Sequence, residues 1–179
     1  GQGSQSVGML SQLADSNIEV RATFEAASRV LGYDLWSLVQ QGPESELKAT
    51  ERTQPAMLTA GVATWRVWCE RGGRVPDVVS GHSLGEFTAL VCAGVLQFEG
   101  AVDLVRFRGM AMQEAVPQGT GAMAAIMGLS EADIEAACAE AAQGGIVSAA
   151  NFNSPGQVVI AGDTAAVQRA IEACKARGA

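Results

Sequence analysis

Apolar residues recur at helical spacing through much of the chain before residue 116. They predict helices over 17–31, 53–71 and 99–115, with glycine or proline following each one. Between the last two helices, the short apolar segment 75–80 runs into a glycine-flanked serine and then into a further apolar stretch. This order predicts a strand, a sharp turn and a helix. We therefore expect an α/β first part, with helices arranged around a parallel sheet.

The pattern changes after about residue 120, where short alternating segments predict strands over 122–129, 146–152 and 158–161. A capping-box opening predicts a helix over 130–142, and an aspartate cap predicts a final helix over 163–177. The predicted order is βαββα. A ferredoxin-like split βαβ unit has the order βαββαβ, so this one is a strand short.

The two ends of the sequence also differ from what complete domains would have. The glycine-rich opening, residues 1–9, has no strand before it, and the second part lacks a strand after it. We therefore expect an incomplete first domain over 1–118 and an incomplete ferredoxin-like subdomain over 119–179.

Composition and charge narrow the class of protein. The chain has 179 residues, 48% of them hydrophobic and 17% charged, which is enough for a sizeable core. Twelve basic against 19 acidic residues give a net charge of −7, and because no basic block occurs, we expect no nucleic-acid partner. We also expect no membrane association and a cytoplasmic location, since the sequence shows no spanning apolar run and no signal pattern.

Metal or cofactor chemistry has little support in the sequence. There is a single histidine, and the four cysteines, Cys69, Cys92, Cys138 and Cys174, are scattered without a CxxC pair. We interpret the cysteines as free buried thiols, and we predict no metal site and no cofactor.

The motif with the clearest chemistry is Gly81-His82-Ser83-Leu84-Gly85. It matches the GxSxG nucleophile elbow, in which flanking glycines let the backbone turn sharply and project the serine. The Leu84 N–H at the start of the following helix is placed to stabilise an oxyanion. His82 is the immediate neighbour of Ser83, so its side chain points away, and we expect it to support the site rather than act as the base. The alternative interpretation is that the motif is only a turn between a strand and a helix, without a catalytic role.

Six blocks of the sequence together resemble a known family. They are GQGSQ at 1–5, TQPAMLTAGVATWRVW at 53–68, GHSLGEFTALVCAGVL at 81–96, VRFRGMAMQEA at 105–115, GAMAAIMGL at 121–129 and NFNSPGQVVIAG at 151–162. In this order they resemble malonyl-CoA:acyl carrier protein transacylase of bacterial type II fatty acid synthesis. Acyltransferase domains of polyketide synthases are similar too. The resemblance implies an α/β-hydrolase-like large domain with a ferredoxin-like small domain, and it implies that this sequence is a little over half of a family member.

The resemblance implies roles for the residues around the elbow. Ser83 would be the acylated nucleophile, with the backbone N–H groups of Gln2 and Leu84 forming the oxyanion hole, and His82 would be a supporting residue. The family's general-base histidine falls after Ala179. We therefore expect residues 1–179 alone to be inactive, because general-base help is typically worth about 10²–10⁴ in rate.

The resemblance also implies substrate-binding residues: Arg108 for the malonyl carboxylate, and Asn151 and Asn153 near the active site. Arg108 lies on an apolar helix face, where a basic residue is stabilised by an anionic partner. Arg106 has Asp103 three residues before it, and we interpret these two residues as a solvated ion pair. Ordinary turn chemistry explains the two asparagines nearly as well. Without the resemblance, Gln2 would be read as a polar residue of a flexible terminus.

Three classes of function remain open. The first is an S-malonyltransferase that moves a malonyl group from malonyl-CoA to the phosphopantetheine thiol of acyl carrier protein through a seryl ester, for fatty acid biosynthesis or as a polyketide synthase domain. The second is a serine hydrolase or thioesterase of α/β-hydrolase type, which shares GxSxG. The third is a non-catalytic module that docks a carrier protein. A carboxylate-binding Arg108 favours the transferase over a hydrolase of neutral esters, and the intact elbow argues against a docking module.

Overall fold

The structure is a computed structural model that describes residues 3–116 and 119–179. It is a mixed α/β protein in two compact units, Gly1–Glu114 and Ala115–Ala179. The helices are α1 (Ser11–Asp15), α2 (Ile18–Leu31), α3 (Leu35–Gln41), α4 (Glu44–Leu47), α5 (Thr50–Glu70), α6 (Leu84–Cys92), α7 (Phe98–Ala115), α8 (Glu131–Ala142) and α9 (Thr164–Ala176), and the strands are β1 (Gly121–Met127), β2 (Val147–Ser154) and β3 (Gln157–Asp163).

The first unit is a helical assembly around one apolar core. Helix α2 packs on α5, and its core-facing Phe24 is fully buried, as are Leu35 of α3 and Leu58 of α5. The Phe24 ring meets the Trp36 ring edge-on, with centroids 4.9 Å apart. As the periodicity predicts, α2 ends at Gly32, whose φ of 76° is the left-handed conformation that glycine adopts without steric cost.

Helix α5 begins earlier than the sequence pattern predicts. The first turn already forms at Thr50, where the carbonyl of Ala49 accepts hydrogen bonds from the N–H groups of Arg52 and Thr53. The Thr53 hydroxyl also donates to the carbonyl of Leu47 at 2.6 Å. These local hydrogen bonds start the helix at Thr50, before residue 53, where the sequence pattern predicts its start.

The predicted strand over 75–80 is wrong for the described residues. This segment is irregular, and Val75 and Val78 are 63% and 82% exposed. A strand requires a ladder partner, and the described part of the first unit contains no other strand with which 75–80 could pair. The predicted parallel sheet is accordingly not formed in residues 3–114.

The second unit is an antiparallel three-stranded sheet in the order β1-β3-β2, and helices α8 and α9 pack against it. Its separate core includes Ile134, Val158, Ile160 and Cys174, all fully buried. The N-cap by Ser130 is confirmed, since its hydroxyl accepts a hydrogen bond from the Asp133 N–H at 3.2 Å. The Asp133 carboxylate accepts from the same hydroxyl at 2.6 Å and not from the Ser130 backbone N–H, so the contact differs from a full capping box.

The predicted side-chain cap of α9 by Asp163 is wrong. Asp163 occupies the N-cap position, but it makes no side-chain hydrogen bond to the helix. Its carboxylate instead accepts a hydrogen bond from the Ile146 N–H at 2.7 Å, and its own N–H donates to the Ile146 carbonyl at 2.7 Å. The side chain therefore joins β3 to the start of β2, a longer-range contact that outcompetes the local cap.

Candidate active site

The backbone turns sharply at Ser83, immediately before α6. Ser83 has φ 53° and ψ −112°, a conformation that costs about 1–3 kcal/mol for a residue with a side chain. The turn is closed by hydrogen bonds from the Gly85 N–H to the His82 carbonyl at 2.8 Å and from the Glu86 N–H to the Ser83 carbonyl at 3.2 Å. The Ser83 hydroxyl makes no capping hydrogen bond to α6 and is exposed.

Gly81 is required sterically by this turn. A Cβ placed on Gly81 would overlap the backbone carbonyl of Gly85, so the chain at residue 81 passes directly against the first turn of α6. Gly85 differs from the expectation for the motif, because a Cβ there meets no described atom within 4 Å and its φ is not positive. Only the first glycine of GxSxG is thus demanded by the packing of the described residues.

Arg108 of α7 reaches Ser83 directly. Its Nη2 donates a hydrogen bond to Ser83 Oγ at 2.9 Å, and its Nη1 donates to Oε1 of Gln54 at 2.9 Å. The guanidinium carbon lies 5.6 Å from the centroid of the Phe87 ring, within the range of a cation–π interaction. The sequence-predicted nucleophile and the predicted carboxylate-binding residue therefore lie within hydrogen-bonding distance of each other.

A close approach of two helices brings Arg108 to this position. A Cβ on the neighbouring Gly109 would lie 2.7 Å from Cα of Glu51 and 2.8 Å from the carbonyl oxygen of Thr50. The backbones of α7 and of the first turn of α5 can approach so closely only because residue 109 has no side chain. This approach places Arg108 beside Gln54, which lies on the same turn of α5.

Gln54 is the site residue that sequence reasoning missed. It is fully buried, accepts from Arg108 through Oε1, and donates through Nε2 to Sδ of Met112 at 3.1 Å. A glutamine near the start of a helix is ordinarily read as a surface residue, so only its place in the 53–68 block pointed to it. Its two contacts fix the direction of the amide, which presents its oxygen to the guanidinium.

The structure describes only some of the residues expected to form the oxyanion hole and to act as or support the base. Leu84 is the first residue of α6, where an N–H has no intrahelical partner, which suits an oxyanion donor. Gln2 lies outside the described residues. His82 is exposed, and its backbone carbonyl takes part in closing the turn. His82 is the sole histidine of residues 1–179. The general-base histidine that the resemblance implies is therefore not among these residues.

Asn151 and Asn153 lie on β2 in the second unit. Asn151 pairs with Val159 of β3, and the register shifts between Ala149 and Asn151 and again between Phe152 and Ser154. The simple alternation expected for an i, i+2 pair is therefore interrupted. The Asn153 amide donates to Oε1 of Gln157 at 3.3 Å, which satisfies part of its hydrogen-bonding capacity locally.

The surroundings of the elbow are apolar. A cavity of about 570 Å³ lies between α5, α6 and the segment before the elbow, and Met57, Trp65 and Leu84 are among its lining residues. Ser83 and Arg108 do not line this cavity.

Within 3–116 and 119–179, no group of three or more His, Cys, Asp or Glu side chains is arranged to hold a metal ion. No helix in the same ranges is long and apolar enough to cross a membrane.

The known proteins to which this chain is similar in sequence and structure are acyl transferases. The family model of the acyl transferase domain matches residues 1–179. Malonyl CoA-acyl carrier protein transacylases from Salmonella typhimurium and Escherichia coli are 62% and 63% identical over 179 residues, which is all of this chain and 58% of each relative. The chain thus spans 58% of the length of these curated relatives.

Two solved structures agree with this assignment. A malonyl-transacylase in complex with its type II PKS acyl-carrier protein is 63% identical, with a TM-score of 0.95 over 99% of this chain and 58% of that one. An acyl carrier protein S-malonyltransferase from Vibrio cholerae is 61% identical, with a TM-score of 0.94 over the same shares. Since the family model covers every residue, this chain belongs to the acyl transferase domain family.

Proposed function

We propose that the protein carrying this chain is an S-malonyltransferase that transfers a malonyl group from malonyl-CoA to an acyl carrier protein. The observation that carries the proposal is the hydrogen bond of 2.9 Å between Arg108 Nη2 and Ser83 Oγ. A guanidinium beside a nucleophile offers a planar, charged fork to an acyl group that bears a carboxylate. A hydrolase of neutral esters would gain nothing from this charge.

The proposed reaction proceeds in two half-reactions through a seryl ester. In the first, Ser83 Oγ forms a bond to the malonyl carbonyl carbon, the carbon–sulfur bond breaks, and the serine proton ends on the sulfur of CoA. In the second, the phosphopantetheine sulfur of the carrier protein forms a bond to the malonyl carbonyl carbon, the bond from that carbon to Ser83 Oγ breaks, and the thiol proton ends on Ser83 Oγ. The Leu84 N–H stabilises the oxyanion in both half-reactions.

The remaining site assignments are part of the same proposal. The Gln2 backbone N–H supplies the second oxyanion donor, His82 is a supporting residue, and Asn151 and Asn153 are substrate-binding residues. They rest on the positions that these residues hold in the family's motifs. The general base is proposed to be a histidine following Ala179 in the complete protein.

The identity of the carrier protein has two candidates. The names of the sequence relatives specify an acyl carrier protein, and the family resemblance favours the carrier of fatty acid biosynthesis. The transacylase solved with a type II PKS acyl-carrier protein, 63% identical to this chain, supports a polyketide carrier as the second candidate. The same acyl chemistry at Ser83 serves either one.

We propose the finer fold on the same basis: residues 1–118 are part of an α/β-hydrolase-like domain of the complete protein, and residues 119–179 are a ferredoxin-like subdomain without its last strand. The exposed valines of 75–80 and the apolar cavity behind the elbow favour a sheet in the first domain. The βαββα order and the β1-β3-β2 sheet favour a ferredoxin-like second domain. The cytoplasmic location stays a prediction.

The proposal is tested by finding where malonyl-CoA acylates the complete protein and what Arg108 contributes. Peptide mapping should place the malonyl adduct on Ser83, and Ser83→Ala should abolish it. Arg108→Ala should lose malonyl transfer roughly ten- to hundredfold in kcat/KM, since a hydrogen bond to a charged group contributes about 1.5–3 kcal/mol. Acetyl transfer should be kept or gained, because an acetyl group has no carboxylate and loses no hydrogen bond when the guanidinium is removed.

Arg108→Lys keeps the charge without the planar fork, so its malonyl kcat/KM should fall between wild type and Arg108→Ala. An adduct on Cys92 or any residue other than Ser83 would contradict the nucleophile assignment. Equal losses for malonyl and acetyl transfer would show that Arg108 supports structure and does not bind the carboxylate.

A further inference from the structure

We propose that Arg108 restrains the Ser83 nucleophile in the free protein, and that the carboxylate of the incoming acyl group releases it. The inference rests on the proposed function and concerns how the same site selects its substrate. Arg108 would then act twice: it binds the carboxylate, and it withholds reactivity from acyl groups that have none.

The geometry holds the guanidinium on the nucleophile. Oε1 of Gln54 accepts a hydrogen bond from Arg108 Nη1 at 2.9 Å. The Gln54 side chain is fully buried, and its Nε2 donates to Sδ of Met112. The Phe87 ring lies 5.6 Å from the guanidinium carbon. With Nη1 fixed and the plane of the guanidinium set beside a ring, Nη2 is directed at Ser83 Oγ.

This contact stabilises the resting serine more than the transition state. A charged donor on Oγ occupies one of the two oxygen lone pairs and draws electron density from the oxygen, which lowers its nucleophilicity toward the carbonyl carbon. As the carbon–oxygen bond forms, Oγ becomes an ester oxygen, which is a poorer acceptor, so the hydrogen bond weakens on the way to the product. An interaction that is stronger in the ground state than in the transition state slows the reaction.

A substrate carboxylate reverses the effect. Two carboxylate oxygens accept from a guanidinium fork better than one neutral hydroxyl does, so the acyl carboxylate takes Nη2 from Ser83. An acetyl group has no carboxylate and leaves the contact in place. Selection for a dicarboxylic acyl group therefore includes the reactivity of Ser83 as well as the affinity for the acyl group.

The test measures Ser83 reactivity with a reagent that needs no carboxylate. Diisopropyl fluorophosphate is neutral and forms a phosphorus–oxygen bond with Ser83 while fluoride and the hydroxyl proton leave. The labelling rate is measured on the complete protein without CoA, at fixed ionic strength, with sodium acetate to occupy the guanidinium or with acetamide as its uncharged analogue. Acetate should accelerate labelling of the wild type roughly ten- to hundredfold, by the strength of one charged hydrogen bond, and acetamide should not.

Variants separate the restraint from general effects on the site. Arg108→Ala should label at the accelerated rate without acetate and should not respond to it, and Arg108→Lys should show a smaller acetate response. Arg106→Ala is the matched control, because Arg106 lies on the same helix and pairs with Asp103 at 2.7 Å. It should behave as the wild type does.

Three outcomes decide between the alternatives. If acetate slows labelling, or if folded Arg108→Ala and Arg108→Lys both label no faster than the wild type, the restraint is wrong. If malonyl-CoA gives the Ser83 adduct normally in that case, the proposed function stands without it. If acetate accelerates labelling but malonyl-CoA leaves Ser83 unmodified, the proposed function fails and the restraint by Arg108 remains.

Discussion

Ser83 combines an unfavourable backbone conformation with an exposed hydroxyl that does not cap α6. Its positive φ is held by the hydrogen bonds that start α6 and by the contact of Gly81 with the first turn of that helix. Strain of this kind persists only where the surroundings determine it, and it is found mainly at functional sites. The exposure of the nucleophile therefore depends on residue 81 as much as on the serine.

Gly81→Ala should reduce both stability and Ser83 acylation. The added methyl meets backbone atoms of Gly85 that cannot rotate away, and overpacking of this kind typically costs about 1–3 kcal/mol. Because the clash lies two residues from Ser83, we expect the rate of malonyl acylation to fall more than tenfold. The measurements are denaturant unfolding and the rate of adduct formation.

Gly100→Ala is the matched control for this substitution. Gly100 lies within α7, its φ is not positive, and a Cβ there meets no described atom within 4 Å. Alanine should stabilise this helix by about 0.5–1 kcal/mol and leave acylation unchanged. Unaltered stability and acylation in Gly81→Ala would show that residue 81 does not position the elbow.

At the scale of elements, particular side chains form hydrogen bonds with the backbone N–H and carbonyl groups that are left free at helix ends. The Asp34 carboxylate accepts from the Ser37 N–H at 2.9 Å at the start of α3, and Ser130 does the same for α8. The other end of α8 is capped by Arg169 of α9, which donates from Nε to the Ala141 carbonyl and from Nη2 to the Ala142 carbonyl, both at 2.8 Å. The positive charge also suits the negative end of the helix dipole.

Arg169→Ala should destabilise the protein by about 1–3 kcal/mol, because two carbonyls lose charged donors. Arg169→Lys should recover only part of this loss, since an ammonium cannot reproduce the fork. Lys175→Ala on the same helix is the control: its pair with Glu172 has side chains 62% and 60% exposed, and such pairs contribute about 0.3–0.5 kcal/mol. Denaturant unfolding measures all three, and equal effects of Arg169→Ala and Lys175→Ala would refute the cap.

At the scale of the whole molecule, the two units have separate apolar cores that bury some cysteines and leave others accessible. The expectation of four buried thiols is wrong for Cys69, which is exposed, and Cys92 is half-buried. Cys138 and Cys174 are buried. Desolvation raises the pKa of the Cys92, Cys138 and Cys174 thiols.

Alkylation should therefore distinguish the four thiols. A raised pKa means less thiolate at a given pH, and the thiolate is the reactive form. With iodoacetamide at mildly alkaline pH, Cys69 should label first, Cys92 next, and Cys138 and Cys174 last. Mass spectrometry of timed samples gives the order, and labelling in denaturant, where the differences should vanish, is the control. Early labelling of Cys138 or Cys174 would contradict the second core.

Local interactions are what the sequence by itself determined. Helix α2 with its Gly32 end, the Ser130 N-cap, the βαββα order and the Asp103–Arg106 pair all involve residues close along the chain. Their periodicities, turn residues and short spacings act whatever the rest of the protein does. Motif recognition also singled out Ser83 and Arg108 separately.

Tertiary structure decided which distant groups meet. Arg108 donates to Ser83 across 25 residues and to Gln54 across 54, and Gln54 became a site residue only because α7 approaches α5 at Gly109. It also decided that 75–80 has no ladder partner in the described residues, and that the Asp163 carboxylate serves Ile146 rather than α9. The reason is physical: periodicity reports which face of an element is apolar, whereas the partner of a buried polar group depends on how the elements pack.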